Sequence, residues 1–565
     1  MPTPAASTTA IPGCDLLGHW PLRDDARDQS GHGHHGISHG APHVDGRFDG
    51  CSSYVEIPST PALALGREGF TVAAWVRADD AAAGLTGDVI GWWDADARRG
   101  FTLCIKGSAG GYNGHSSERH VHFGIDDGRL GEWEDCGRPN PTSNYVSNCL
   151  TVYNGDLYAA TTDAATPGDW AHVYRYAGGQ IWDDCGRVGE LKTRGVGSLL
   201  VHEGQLHAAT WSYDWVRVEQ DDLDCCRVYR YEGPGRWVDC GQPGECRRLF
   251  SLASFAGRLY VAGDDYQVHV HEGGRRWSSV RTFRGFVHPM AVHRSRLYVG
   301  EFGRDGESTF RPAEVFCFDG RTWTSAGHPM AAGDREDQLH AMHTHEGRLH
   351  VTTWPHGKVM ALEPEGRWSD LGRLGQSTES NALHVHNGAL YAGTIPYAEV
   401  YRYGGPSRWQ RIGRFAPPAA GPAISQAELD QWGRVTSLTA HAGRLFASIG
   451  SYTSSILDAP ADVRGRVFAI RPGACASFEH DLGSGWRHLA AVRRADRIEL
   501  YLDQALCAEA RLADAPYDLT HAAPLRIGLG AVDYFSGCIR DIRLWRGAAD
   551  PAHIAALATP PPTAR

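Results

Sequence analysis

The sequence predicts an all-β protein in which a seven-bladed β-propeller is inserted into a two-sheet β-sandwich. Three observations predict it. Residues 129–473 repeat one pattern seven times: a Trp strand, an inner strand ending in a two-residue turn, a Leu-Tyr-like strand and a Val-Tyr-Arg-Tyr-like strand. Strand-like segments without that pattern flank the repeats, at 15–128 and 474–556, with short tails at 1–14 and 557–565. Helix signals are scarce in a chain of 68 Gly and 18 Trp whose short Val/Tyr/Leu runs alternate with turn residues. A chain of 565 residues also exceeds what one core sustains.

The turns fix the repeat. They are Asn154-Gly155, Glu203-Gly204, Ala256-Gly257, Arg294-Ser295, Glu346-Gly347, Asn387-Gly388 and Ala442-Gly443. Asn-Gly and its relatives close hairpins because they accept positive φ. Seven units of four strands describe a propeller. The Trp strand at 132–136 precedes the first complete blade, and the last unit ends at 466–470 with no Trp strand after it. The early strand is therefore expected to complete the last blade. That closure brings residues near 130 and 473 together, as insertion into a sandwich loop requires. The repeat boxes of sialidase, kelch and WD40 propellers are missing.

The flanks carry their own motifs. Before the repeats come Gly18-His19-Trp20-Pro21-Leu22, Gly46-Arg47-Phe48-Asp49-Gly50 and Phe70-Thr71-Val72-Ala73-Ala74-Trp75-Val76. After them come Gly485-Trp486-Arg487-His488-Leu489, Leu500-Tyr501-Leu502-Asp503 and Ile539-Arg540-Asp541-Ile542-Arg543-Leu544-Trp545. In this order they resemble the concanavalin-A-like (LamG-like) jelly rolls that often accompany glycan-active enzymes. The resemblance implies one sandwich split by the propeller, with a structural Ca2+ held by loop carboxylates. It also implies sugar-facing groups, for which Trp92, Trp93 and the His-rich loop 31–36 are the candidates.

Charge and cysteines narrow the partners. A net charge of −11 disfavours nucleic acid, whose phosphates need a positive surface. No apolar run approaches the roughly 20 residues of a membrane span. The opening residues lack the charged and apolar regions of an export signal. The protein is therefore expected in the cytoplasm, or in a secreted or periplasmic location if a leader precedes this sequence. Cys136, Cys185 and Cys240 sit in Trp-x-x-Cys-Gly units whose counterparts are Val280, Ala326, Leu371 and Ile412. A position shared by Cys, Val, Ala, Leu and Ile is an apolar packing site and not a disulfide. Cys225, Cys226 and Cys246 show no strong zinc spacing.

Aligning the inner strands on their turns locates the candidate chemistry. Five residues before the turn every blade is apolar, as at Leu150, Met290 and Leu438. Seven before it stand Asn148, Gly197, Phe250, His288, His340, Asn381 and Thr436, the expected channel entrance. Two neighbouring blades present histidine there, the side chain suited to proton transfer near neutral pH. His288 and His340 are the leading catalytic candidates, with Tyr213 and Tyr397 as further acid–base groups. Loops after the second strands add candidate substrate contacts: Trp211, Tyr266, Arg304, Trp354, His356 and Lys358, beside Asn148 and Asn381. Trp and Tyr offer flat faces to sugar rings, and Arg grips a carboxylate with two parallel bonds. His343 and His384 occupy equal positions in adjacent blades and are candidate Zn2+ ligands.

A face of His, Tyr and Arg suits β-elimination from a uronic acid. A cation neutralises the sugar carboxylate, a base removes the C5 proton and an acid protonates the departing O4. The segment Leu390-Tyr391-Ala392-Gly393-Thr394-Ile395-Pro396-Tyr397-Ala398-Glu399-Val400-Tyr401-Arg402-Tyr403 is similar in style to seven-bladed polysaccharide-lyase propellers, the ulvan and rhamnose–glucuronate lyases. That resemblance implies His and Tyr as acid and base, with an anionic polysaccharide or oligosaccharide as substrate. Three alternatives stay open. One is a glycoside hydrolase with a carboxylate pair drawn from Asp264, Asp265, Glu301, Glu314 and Glu399. The second is a non-catalytic glycan-binding or adhesion protein, and the third an interaction scaffold.

Overall fold

The computed structural model has the fold class the sequence predicts. It describes residues 11–40, 45–79, 85–107, 116–142, 146–161, 170–212, 224–303, 311–330, 338–415, 433–451, 465–512 and 516–558. The sandwich strands form two seven-stranded sheets. One runs Asp15–Trp20, Ser536–Arg546, Phe70–Ala78, Arg487–Arg493, Arg497–Leu502 and Ala505–Arg511, with Arg47–Asp49 also on Ser536–Arg546. The other runs Ile37–His39, Tyr54–Ile57, Leu525–Ile527, Leu85–Asp94, Arg99–Lys106, His120–Leu130 and Pro472–Phe478. Each sheet interleaves strands from both ends of the chain. The core between them is built on Trp20, Phe48, Phe70, Phe101, Phe123 and Phe535. The strand pair His120–Leu130 and Pro472–Phe478 is where the chain leaves for the propeller and returns.

The propeller is a ring of seven four-stranded sheets. Its inner strands, blades 1 to 7, are Val146–Tyr153, Gly195–His202, Leu249–Phe255, Val287–His293, Gln338–His345, Glu379–His386 and Gly433–His441. Each contacts the next, and the first contacts the last. The early strand Glu134–Asp135 pairs with Val467–Ile470 and completes blade 7. All seven hairpin turns have positive φ at both central residues, including the non-glycine pair Arg294 and Ser295. That is the turn geometry whose twist matches the flanking strands.

The Trp-x-x-Cys unit has a physical role. Six of the seven outer-strand indoles reach back to the preceding blade, whereas that of Trp323 in blade 4 has no hydrogen-bond partner among the described residues. Trp182 donates to Cys136 O at 2.8 Å, Trp277 to Cys240 O at 2.8 Å, and Trp237 to Cys185 O at 3.3 Å. Trp368, Trp409 and Trp133 do the same to Ala326, Leu371 and Ile412. Only the carbonyl is needed, so the side chain there is free to be any small apolar group. All 14 cysteines are free, and Cys136, Cys185 and Cys240 are buried.

The turn end of the ring rests on the sandwich. Asn387 Nδ2 donates to Ile125 O at 3.0 Å and Pro472 O at 2.8 Å. Glu346 N donates to Ala531 O at 3.1 Å, and Ala442 N to Glu479 Oε1 at 2.7 Å. Lys106, on a sandwich strand, buries its amine against Val385 O. The other ends of the inner strands, where the candidate histidines stand, form the opposite face. Among the described residues no helix is long and apolar enough to cross a membrane.

Candidate functional site

The channel-entrance row coincides with a repeated backbone irregularity. Strand register shifts between Val146 and Leu150, Val196 and Ser198, Leu249 and Ser251, and Val287 and Met290. It shifts again between Leu339 and Met342, Ser380 and Ala382, and Val435 and Ser437. Every blade therefore bulges at the position seven residues before its turn. A bulge withdraws a residue from the ladder and re-aims its side chain. Gly197 is the member without a side chain, and a β-carbon there would lie 2.1 Å from Leu249 O. The side chain of Asn148 lies outside the described residues.

His288 and His340 are brought together. Their ring centres are 5.6 Å apart and the rings meet edge to face. Phe250 and Phe302 pack on His288 with centroids at 4.6 and 4.4 Å. Both imidazoles are buried, at 3% and 4% exposure. His340 Nδ1 is 3.2 Å from Glu379 Oε1 on blade 6. Burial pushes the His288 pKa well below the usual imidazole value, helped by His340 and Arg248. Burial also lowers His340, Glu379 works against that shift, and Arg434 adds to it. Two neutral imidazoles, one of them oriented by a carboxylate, can accept protons at neutral pH.

Three charged groups of this site escape the turn-aligned row. Glu379, Arg434 and Arg248 each stand two residues before it, in blades 6, 7 and 3. Strand periodicity puts residue i−2 on the same face, so a two-residue step along the row would have found them. Arg248 Nε is 3.3 Å from Asp264 Oδ2, and its guanidinium lies over Phe250 and Phe286 at 5.0 and 4.9 Å.

The other candidates are dispersed. Trp211 is 7% exposed and packs edge-on against Phe250 at 5.9 Å, so it braces the bulge and offers no open face to a sugar. Lys358 sits on the third strand of blade 5 with Nζ 3.4 Å from Asp370 Oδ2 on the outer strand, so its charge is directed to the blade's outer half. Tyr397 bridges to Gly433 of blade 7, and Arg414 lies over its ring at 4.2 Å. Tyr266 packs on Phe286 with the rings tilted and their centres 5.3 Å apart. Trp354 ends the second strand of blade 5, half-buried, and His356 is exposed in the turn that follows. Asn381 is fully buried. Tyr213 and Arg304 lie outside the described residues.

The carboxylates proposed for hydrolysis are engaged locally. Glu399 binds Arg411 at 2.7 Å and accepts from the Tyr401 hydroxyl at 2.7 Å. Glu301 accepts from Arg284 N and Gly285 N, and Asp264 from Arg247 N and Arg248 N. Asp265 pairs with His269 at 2.7 Å, and Glu314 accepts from Ser325 Oγ at 2.6 Å.

His343 and His384, the candidate Zn2+ ligands, stand close together. Their rings are 5.3 Å apart at the sandwich end of the channel, and Lys106 Nζ stands 3.3 Å from His384 Nε2. His343 Nδ1 is 2.8 Å from Thr344 O. In the sandwich, loop 31–36 folds onto Asp28, which accepts from His19 N, Ser30 N and His34 N. Trp92 is buried and donates to Ala523 O at 2.6 Å.

Trp93 has a different setting. It lines a cavity of about 380 Å³ between the sandwich and the turn face of the ring, with Asp94, His345, Arg348, Tyr403 and Arg526. Its buried indole nitrogen has no hydrogen-bond partner among the described residues.

Residues 429–555 match a family described as the concanavalin A-like lectin/glucanases superfamily. The matched span starts just before blade 7 and includes the second part of the sandwich. No curated protein matches the sequence. Among solved structures, the extracellular domain of a hybrid two-component system from B. thetaiotaomicron is 12% identical with a TM-score of 0.43, over 70% of this chain and 49% of that one. The chain thus spans about half the length of that protein. Trypanosoma rangeli sialidase is 10% identical with a TM-score of 0.28, over 77% and 94%. BamB from Moraxella catarrhalis is 12% identical with a TM-score of 0.34, over 70% and 96%.

Proposed function

We propose that this protein is a carbohydrate-active enzyme, a polysaccharide lyase that cleaves a uronate-containing glycan by β-elimination at the bulged face of the ring. The observation that carries this reading is the buried pair His288 and His340, with Glu379 at 3.2 Å from His340. In this reading His340 takes the C5 proton and Glu379 stabilises the imidazolium that results. The electron pair of the broken C–H bond forms the C4–C5 double bond, and the C4–O4 bond breaks. His288, whose ring meets that of His340 edge to face, is the candidate donor of a proton to O4. Arg434, which acts on His340 electrostatically, is the candidate partner of the sugar carboxylate. The lyase propellers that the sequence resembles use the same residue types. Elimination creates an unsaturated uronate that absorbs in the ultraviolet. Offering the protein ulvan, gum arabic, pectin, alginate and glycosaminoglycans while following that absorbance tests the reading.

A second reading is glycan binding without cleavage. The cavity beside Trp93 favours it, because the rings of Trp93 and Tyr403 and three arginines, Arg98, Arg348 and Arg526, line one half-open space.

A further inference from the structure

We propose that Cys246, Asp265 and His269 of blade 3 bind one borderline-soft divalent metal ion of the zinc type. Cys246 lies in the segment leading into Leu249–Phe255, Asp265 in the turn after Arg258–Gly263, and His269 on Gln267–His271. One ligand atom from each lies within 4.8 Å of the other two, and this is the one such set of three among the described residues. Zinc bonds of about 2.0–2.3 Å place ligand atoms roughly 3.4–3.8 Å apart. The cluster is therefore already close to a coordination shell, with His269 Nε2 and Asp265 Oδ2 at 2.7 Å needing to part slightly. Thiolate, imidazole and carboxylate together suit zinc and leave a fourth position for water.

Two glycines let the three side chains converge. A β-carbon on Gly263 would lie 2.4 Å from Cys246 Sγ. One on Gly244 would lie 2.2 Å from Asp265 Oδ2 and 2.9 Å from His269 Nε2. Gly263 has ordinary negative-φ geometry, so space and not conformation calls for glycine there. Cys246 and His269 are buried and Asp265 is half-buried. Burial and the neighbouring carboxylates raise the Cys246 thiol pKa, and a bound cation offsets this by taking the place of the thiol proton.

The ion would also brace the candidate site. Cys246 is two residues before Arg248 and four before Phe250, whose ring packs on His288. Asp264, beside the ligand Asp265, already accepts from Arg247 N and Arg248 N. Metal at Cys246 and Asp265 ties together the two segments that hold this corner.

The test strips the full-length protein with a chelator and titrates it with Co(II). One equivalent is expected to bind with a thiolate-to-cobalt charge-transfer band and intense tetrahedral d–d bands, displaced by Zn(II). Cys246→Ser is expected to lose the charge-transfer band, and Asp265→Asn to weaken cobalt binding by about 100-fold or more. Cys225→Ser is expected to leave both unchanged. A wild-type protein that gives no thiolate band overturns the proposal whether or not the variants fold. So does a Cys246→Ser protein that keeps the band, or a folded Asp265→Asn protein that binds cobalt as tightly as wild type.

Discussion

His340 Nδ1 lies 3.2 Å from Glu379 Oε1, and the two residues belong to neighbouring blades. The contact spans a blade seam, so it depends on the ring closing correctly. It also sets the chemistry of the imidazole, because burial lowers the His340 pKa and Glu379 raises it. Glu379→Gln removes the opposing charge, so His340 should titrate at still lower pH. The acid limb of kcat/KM is expected to move to lower pH, and kcat to fall about 10- to 100-fold as the imidazolium loses its partner. A pH–rate profile checks this. An unmoved acid limb assigns Glu379 a purely structural role.

Asn387 holds the ring on the sandwich. Asn387→Ala removes hydrogen bonds of 3.0 and 2.8 Å and leaves two buried carbonyls without that donor. It also places alanine at a φ of 44°. The expected loss is about 2–4 kcal/mol. Urea unfolding measures it, and a change below about 0.5 kcal/mol would mean that the turn is not an anchor.

Buried histidines make the fold acid-sensitive. Burial pulls His207 and His386 down from 6.5 to about 3, and His488 to about 4. Below 6.5 the unfolded chain binds protons that the native state refuses, so stability falls as pH drops from there towards these values. Each such histidine contributes about 1.4 kcal/mol per pH unit in that window. Asp126 acts in the opposite sense. Burial raises it from 3.8 to about 7, so its contribution is present at low pH and lost as pH rises through about 7. Acidification from pH 6 to pH 4 is therefore expected to lower the unfolding midpoint, with His386→Phe showing a shallower dependence than wild type. Parallel curves for the two proteins contradict the assignment to His386.

A glycan-binding role for the cavity at Trp93 can be tested apart from turnover. Trp93→Ala is expected to weaken retention on immobilised glycan while leaving kcat on short oligosaccharides within about twofold. Equal loss of both would place cleavage at the cavity and not at the opposite face.

The fold was legible because its signals are local and repeated. Asn387-Gly388 announces a hairpin by composition alone, and the missing last Trp strand announces the closure at Glu134–Asp135. The turn-aligned row also brought His288 and His340 together, since a repeat fixes relative position without any contact being seen. Relationships between segments far apart in sequence were not legible. Nothing local says that Asn387 bonds Ile125 and Pro472, or that Lys106 reaches His384. Trp211 looked like a sugar platform because a loop tryptophan is ambiguous until its neighbour Phe250 is known. Cys246 lacked a zinc spacing because its partners Asp265 and His269 come from the next hairpin of the same blade. Glu379 was within reach, two residues from Asn381 on the same strand face.

The central proposal is elimination carried out by the paired imidazoles. The direct measurement is the ultraviolet absorbance of unsaturated uronate released from a cleaved anionic glycan by wild type, His288→Ala and His340→Ala. Rising absorbance with wild type and a loss of about 10²- to 10⁴-fold in each folded variant is the predicted result. Folded variants that match wild-type turnover, or new reducing ends without absorbance, contradict it.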